Sequence, residues 1–523
     1  MLMIIAPTIK AAVRALTARR RTSRKGRGVE THEQVQPTHG AGRYRQELSR
    51  SITVLGNVFI TLSGVTPAAS VFIIAPVALA EAGSGAFASF VFAAIVGVFM
   101  GLCWAELSAA FPIAGGDYAL VWHSFKGPAA NRRVAALAGP VSFITFALYL
   151  DFIAFIPATI ALGAGTYFGV VATVNARVMG AIFMLIAAGF AIFKIRFNAV
   201  LTGIFLGIEL VALLIVTVLG FSHPRHFSSL VHPAIGSGHG LLVGVAFSGV
   251  LAVTAVAIFS YNGYNASVNF AEETHGTGRN IARAILWSLV ITVAAELIPL
   301  TATIVGSPSL AKLSQSVIPM QYFIEGTSNT GLYDVLSLGI VLAILNATIA
   351  IILSYARIMY SAARDKAFPG PVSNWVAQIH PRYRSPWVAA AFIGVLGAVL
   401  CLTVSLSTLV NLTGASLVAD YALIAIAALV ARPVKATEHS PYKMRFWPLP
   451  PLLALVSLGY VFTKQTALLL NVTLITMGIG LVYWLVAILP QRGRAWSLLD
   501  AASSELSPPD PAPAGAAGSA DPA

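Results

Sequence analysis

About a dozen apolar stretches, each close to the length a helix needs to cross a bilayer, constrain this chain more than any other feature. A membrane-crossing helix takes roughly 20 consecutive apolar residues. Runs of that kind fall at about 53–79, 86–111, 140–162, 178–193, 200–219, 241–270, 285–304, 335–360, 387–404, 412–430, 447–462 and 468–488. They are too long, and alternate too little, for the strands of a barrel, so an all-α integral membrane fold follows. Composition agrees: 57% of the 523 residues are hydrophobic and 10% are charged, where a soluble domain carries about a quarter.

The charge that remains is lopsided, with 33 Lys and Arg against 20 Asp and Glu, a net of +13. So apolar a chain leaves no room for a nucleic-acid-binding face, and the excess reads instead as the positive-inside bias of a membrane protein. With both termini cytoplasmic in a cell-membrane protein, every Lys and Arg except Arg177, Arg225, Lys312 and Lys464 falls on the cytoplasmic side. The expected organisation is a basic cytoplasmic tail (1–50), a ten-helix core (51–432), two peripheral spans (433–490) and a disordered tail (491–523) rich in Pro, Ala, Ser and Asp. Cys103 and Cys401 sit inside apolar runs and give no disulfide framework, and the histidines lack zinc-type spacing. No metal and no cofactor are expected.

Two spans carry helix breakers in polar surroundings. The first includes Gly64-Val65-Thr66-Pro67-Ala68-Ala69-Ser70, and the sixth includes Phe259-Ser260-Tyr261-Asn262-Gly263. A single Pro or Gly usually makes only a kink. These two, however, are the first members of two five-helix halves, 51–220 and 241–432, and an odd-numbered repeat enters the membrane from opposite sides. That is the inverted-repeat arrangement in which broken helices meet near the midplane around a solute. Free N–H groups at half-helix starts suit a carboxylate, and unwound carbonyls suit an ammonium. The residues of both breaks are therefore the candidate substrate-binding set.

Four segments resemble the amino acid–polyamine–organocation (APC) superfamily of permeases. They are Glu106-Leu107 through Pro112, Gly115-Gly116 and Tyr118; Ala271-Glu272-Glu273 through Arg279-Asn280-Ile281; Ser354 and Arg357 through Tyr360, Ala363-Arg364-Asp365; and Pro381-Arg382 with Pro386. The resemblance implies a leucine-transporter-like 5+5 core plus two peripheral helices, with Phe259 as an aromatic gate and Tyr261, Asn262 and Gly263 as unwound backbone. Where similar transporters show G-[ST]-G-[IV]-F, this chain has Ala68-Ala69-Ser70-Val71-Phe72 behind Pro67. The missing glycines keep amines and polyamines open beside amino acids.

Ionisable residues within spans default to functional roles. Asp151, Glu209, Glu296 and Asp420 are the candidates. Glu209 aligns with a position where some relatives carry a lysine that supports the first broken helix, and desolvation favours the neutral form of a carboxyl, so it is the leading group to exchange a coupling proton. Asp151 is the second such candidate, or faces a cationic substrate. Glu106, Glu272, Glu273, Arg357, Arg364 and Asp365 read as charges that anchor or latch the cytoplasmic ends of helices. The chain shows no H-E-x-x-H, G-x-S-x-G or G-x-x-x-x-G-K-[ST], so neither an enzyme nor an ATP-driven pump is expected. The expected function is secondary transport of an amino acid or related amine, by symport or exchange and with H+ as coupling ion. A substrate sensor or channel on the same fold is the alternative.

Overall fold

A computed structural model describes residues 53–112, 116–192, 198–237, 240–274, 278–383 and 385–491, with 495, 496 and 498 beyond them; the side chains of 198–202 and 270–273 are not among those described. The first span is split. α1 (Val54–Val65) starts at Thr53, whose hydroxyl accepts the Gly56 N–H at 3.1 Å, and ends at Thr66 in the left-handed region, φ 50°. A turn over Pro67–Ala69 and a π-helical stretch, Ser70–Ile74, lead into α2 (Ala75–Ala82). Proline explains the discontinuity: Pro67 has no N–H to return to the preceding turn and cannot continue α1, yet suits the first turn of a new segment.

Next come α3 (Gly85–Ala110), α4 (Asp117–Ser124), α5 (Arg132–Ala172), α6 (Ala176–Ile192) and α7 (Asn198–Ser222). The stretch expected to cross at 140–162 lies inside the 41-residue α5, which runs through Pro140 and Pro157 and is capped by Asn131 on the Val134 N–H at 2.9 Å. A two-stranded antiparallel hairpin follows, β1 (Ala234–Gly236) with β2 (Leu242–Gly244). It takes the start of the run expected at 241–270, so the helix begins only at α8 (Phe247–Tyr261). The glycines and serine of Gly236-Ser237-Gly238 and Gly240 favour a turn over a helix there.

After α8 the chain breaks at Asn262–Gly263 and continues as a 3-10 segment, Tyr264–Glu273. α9 (Gly278–Gly306), the short α10 (Leu310–Gln315) and α11 (Pro319–Thr327), α12 (Thr330–Arg364), α13 (Gly370–Val376), α14 (Trp387–Thr403), α15 (Leu406–Ala431), α16 (Leu449–Thr463) and α17 (Ala467–Tyr483) complete the molecule. Among the described residues nine helices are long and apolar enough to cross a membrane, and α6, α14 and α16 are shorter apolar helices. The outer faces are themselves apolar: Leu214 on α7 and Ile479 on α17 are 61% and 64% exposed. A soluble protein rarely exposes so many large apolar side chains together.

The interior is tight where helices cross at small residues. A Cβ on Gly163 of α5 would collide with the Ile73 side chain of the π stretch, and one on Gly414 of α15 would meet the Ala255 carbonyl of α8 at 2.6 Å. Trp496, which the sequence reading placed in a disordered tail, is buried against Tyr118, Phe143 and Phe146 and donates its indole N–H to Ser142 Oγ at 2.9 Å. An indole with a partner for its one polar group is better inside than in water. The tails 1–50 and 501–523 lie outside the described residues.

Candidate functional site

The two breaks face each other. Ser70 Oγ donates to the Ser260 carbonyl at 2.8 Å, which joins the part of the first span after its break to α8, before the second. The converse pairing also exists. Asn57 on α1 donates to the Ser267 carbonyl at 3.1 Å and to Thr274 Oγ1 at 2.9 Å, and Thr61 Oγ1 shares a hydrogen with Ser267 Oγ at 2.9 Å. Each half of one broken span thus binds the opposite half of the other. At the crossing, Gly263 has φ +111°, and a Cβ there would press on Val65 Cγ2 at 3.2 Å. Glycine satisfies both demands at once, the positive φ and the close approach.

Glu209 of α7 supports the first break. Its carboxylate accepts from Thr66 Oγ1 at 3.0 Å and from the Ala68 N–H at 3.4 Å. The group is buried and takes one of the donors that a helix start leaves without an internal partner. Glu296 of α9 serves the other side. It is fully buried and accepts from Ser260 Oγ at 2.7 Å. A short chain of bonds therefore runs from Glu296 through Ser260 and Ser70 across both breaks.

Around the second break, Phe259, Ser260 and Tyr261 are buried. The Tyr261 ring lies edge-on to Phe90 with centroids 5.4 Å apart. Asn262 adopts extended backbone, and its Oδ1 accepts from the Tyr421 hydroxyl of α15 at 3.1 Å. Gly64 is half-buried with open space where a side chain would point. Pro67, Ala68, Ala69 and Ser70 are all buried.

The remaining candidates sit elsewhere. Asp151 accepts from Ser416 of α15 at 2.9 Å and from Thr476 of α17 at 3.4 Å, which sets it at the seam with α17 and not among the hydrogen bonds of the breaks. Glu106 is held by a partner that the sequence reading did not single out. Arg432 donates to both of its oxygens at 2.8 and 2.7 Å, and Thr437 and the Met444 N–H add bonds at 3.0 and 2.8 Å. A bidentate fork of this kind is the strong form of a carboxylate–guanidinium pair. Arg364 approaches its neighbour Asp365 at 4.0 Å and is half exposed. Burial pushes the Asp365 carboxyl up from 3.8 to about 6, against the pull of the Arg364 charge. Arg357 is exposed, and the side chains of Glu272 and Glu273 lie outside the described residues. Among the described side chains, Glu106 pairs with the segment after α15, and Asp365 with Arg364 at the end of α12.

The sequence reading also missed Asp117, which stands in the Gly-Gly-Asp-Tyr of its first motif. Asp117 is buried and accepts from Trp104 Nε1 at 2.8 Å and Asn265 Nδ2 at 3.4 Å. An aspartate between glycines and an apolar helix was the available signal.

An apolar exterior, two interrupted helices that cross at their breaks, and buried carboxyls tied to the exposed main chain define a multi-pass membrane transport protein. The sequence matches the amino acid permease family over residues 56–489, and the chain belongs to that family, within the APC superfamily. It is 22% identical to the branched-chain amino acid permease BcaP of Bacillus subtilis, over 86% of this chain and 94% of that protein. It is 22% identical to the methylthioribose transporter of the same organism over 78% of this chain and 87% of the relative, and 25% identical to the mouse cationic amino acid transporter 4 over 75% and 61%. The chain is an amino acid transporter in this broad sense, and the relatives it matches are transporters and permeases.

Proposed function

We propose that this protein is a secondary active transporter that moves an amino acid or related amine by alternating access and couples it to protons. The two spans broken at Thr66–Pro67 and Asn262–Gly263 open the two five-helix inverted repeats of a twelve-span core-plus-periphery layout, with both termini on the cytoplasmic side of the cell membrane. The observation that carries this reading is the crossing itself: Ser70 Oγ on the Ser260 carbonyl at 2.8 Å, and Gly263 against Val65. Main chain that is not helical within a membrane persists only where protein or water satisfies it, and a solute can take the same positions. Ala68, Ala69 and Ser70, turned out of the helix by Gly64, Thr66 and Pro67, would offer N–H groups to a carboxylate, while Tyr261, Asn262 and Gly263 would offer carbonyls to an ammonium under Phe259.

Glu209 is the proton-exchanging group in this scheme. Its carboxylate accepts from Thr66 and Ala68 of the first break, so its loss of charge would loosen the junction that must rearrange. Asp151, at the seam with α17, is left the role of tying the peripheral helices to the core. The relatives' names span branched-chain amino acids, cationic amino acids and methylthioribose, which leaves the solute to experiment. In proteoliposomes, counterflow should show trans-stimulation by at least one amino acid or amine. Glu209→Gln should abolish accumulation driven by a proton gradient and leave counterflow within about threefold. Binding without any exchange would replace this reading with a sensor, and flux without trans-stimulation would replace it with a channel.

A further inference from the structure

The segment after α17 carries a buried tryptophan that the transport reading leaves without a role. Trp496 is 2% exposed and sits among three rings, with centroids 5.1 Å from Tyr118, 4.8 Å from Phe143 and 5.4 Å from Phe146. Both of its N–H groups are taken. The indole donates to Ser142 Oγ of α5 at 2.9 Å, and the main chain donates to the Asp365 carbonyl, just past α12, at 2.7 Å. Its backbone is left-handed, φ 52°. A tryptophan stays in that region only where its surroundings over-determine it. One residue thus joins α4, α5 and the end of α12.

The helix it grips is the one that reaches the second break. Asp117 and Tyr118 are neighbours at the start of α4 and serve two different sets of elements. Tyr118 packs on Trp496 and edge-on to Phe146 of α5, centroids 5.6 Å apart, and its hydroxyl donates to Ser361 Oγ of α12 at 3.4 Å. Asp117 accepts from Trp104 of α3 at 2.8 Å and from Asn265 at 3.4 Å. Asn265 lies two residues past Gly263, in the 3-10 segment whose Tyr264 ring is edge-on to Trp104 at 5.7 Å. Asn57 and Thr61 of α1 bind the same segment at Ser267. The two residues make α4 the joint between α5 and α12 on one side and α3 and the second broken span on the other.

We propose that Trp496 is a positioning residue for the second break: it wedges α4 against α5 and the end of α12, so that Asp117 holds Asn265 in place while Gly263 turns. A joint at a glycine transmits motion only if one of its flanks is fixed. The Asn265–Asp117 bond supplies the tie, but a tie fixes nothing unless its far end is itself held. With eight residues, α4 is two turns long and takes its stability from what it packs on. The ring contacts and two hydrogen bonds of Trp496 provide that packing. With the wedge gone, α4 shifts, the tie slackens, and the seam between the 3-10 segment and α3 opens more often. The wedge rests on the transport reading for its purpose, since a fixed flank matters only to a hinge that moves.

The test uses the full-length protein in proteoliposomes and one of its own cysteines. Cys103, beside Trp104 on α3, is buried, and Cys401→Ser leaves it the one thiol in the chain. Its labelling by a maleimide then reports opening of the seam. In that parent, Trp496→Ala should label at least about tenfold faster and raise the half-saturation of counterflow at least about threefold, with maximal rate per folded protein within about twofold. Asn265→Ala cuts the tie directly and should label as fast. Adding Trp496→Ala to it should give no further increase, because both act through one link. Labelling and half-saturation unmoved in Trp496→Ala, no faster labelling in Asn265→Ala, or additive rates in the double variant each overturn the proposal and leave Trp496 as packing alone. Should Trp496→Ala fail to fold, Trp496→Phe keeps a ring and loses the indole N–H, and Ser142→Ala removes the acceptor. Each should label about threefold faster, and a parental rate in both overturns the proposal. Absence of counterflow in the parent would instead strike the transport reading and leave the labelling result standing.

Discussion

The two broken spans reach the same outcome by different chemistry. The first breaks at a residue with a side chain, Thr66 at φ 50°, and the carboxylate of Glu209 supports the junction from outside through the Thr66 hydroxyl and the Ala68 N–H. The second breaks at a glycine with φ +111°, and its supports attach to side chains on either side of that glycine, Tyr421 on Asn262 and Asp117 on Asn265. A left-handed threonine costs about 1 kcal/mol or more and persists because its surroundings over-determine it. A glycine carries no such penalty, so the second junction is free to change its backbone angles while its flanks stay anchored. The first break is a braced corner, and the second is a hinge.

That contrast can be broken most decisively at Gly263. Gly263→Val must place a β-branched side chain at φ +111° and against Val65 Cγ2, 3.2 Å from the new Cβ, and should reduce counterflow at least about a hundredfold. Thr66→Gly relieves the strain at the first break and loses one hydroxyl bond. Those effects are of similar size, about 1 kcal/mol each, so transport should fall no more than about tenfold. Equal losses in the two variants would erase the distinction between corner and hinge.

A smaller effect sharpens it. Tyr421→Phe removes the hydroxyl that donates to Asn262 at 3.1 Å and leaves the ring in its edge-on contact with Trp104, centroids 4.6 Å apart. One neutral hydrogen bond is worth about 1 kcal/mol. Counterflow measured against solute concentration should show half-saturation rising about three- to fivefold, with little change in maximal rate. A change confined to maximal rate would mean that Tyr421 times the hinge and does not set its resting geometry.

How much of this was legible in the sequence depended on the kind of signal. Apolar runs report solvent, so the membrane class and most helices followed from hydrophobicity alone. The run at 241–270 misled because Leu242 and Val243 are as apolar in a strand as in a helix, and only the glycines before them marked the hairpin. Pro67 and Gly263 could be read directly, since each limits its own backbone. Partnerships across the fold could not. Nothing local to Glu106 points to Arg432, 326 positions away, and nothing local to Ser70 points to the Ser260 carbonyl. Asp117 escaped notice for the same reason: the significance of a buried carboxyl lies in what faces it, and Asn265 is far along the chain.

The smallest expected effect lies away from both breaks, at Asp365, and serves as the reference against which their pH dependence is judged. Burial holds this carboxyl at about 6, above its ordinary value of 3.8, so the folded protein binds a proton more tightly than the unfolded chain does. Stability from this group is therefore fully present below about pH 4 and is lost as pH rises through about 6. The gap between the two values caps the effect at about 3 kcal/mol, and a helix end beside the half-exposed Arg364 should show less. The thermal midpoint of the wild type in detergent should decline across that window, and Asp365→Asn should flatten the decline while transport keeps its own pH dependence. If Asp365→Asn instead flattened the transport profile, the proton that matters would be exchanged at the end of α12, and the carboxyls at the two breaks would be supports without a part in coupling.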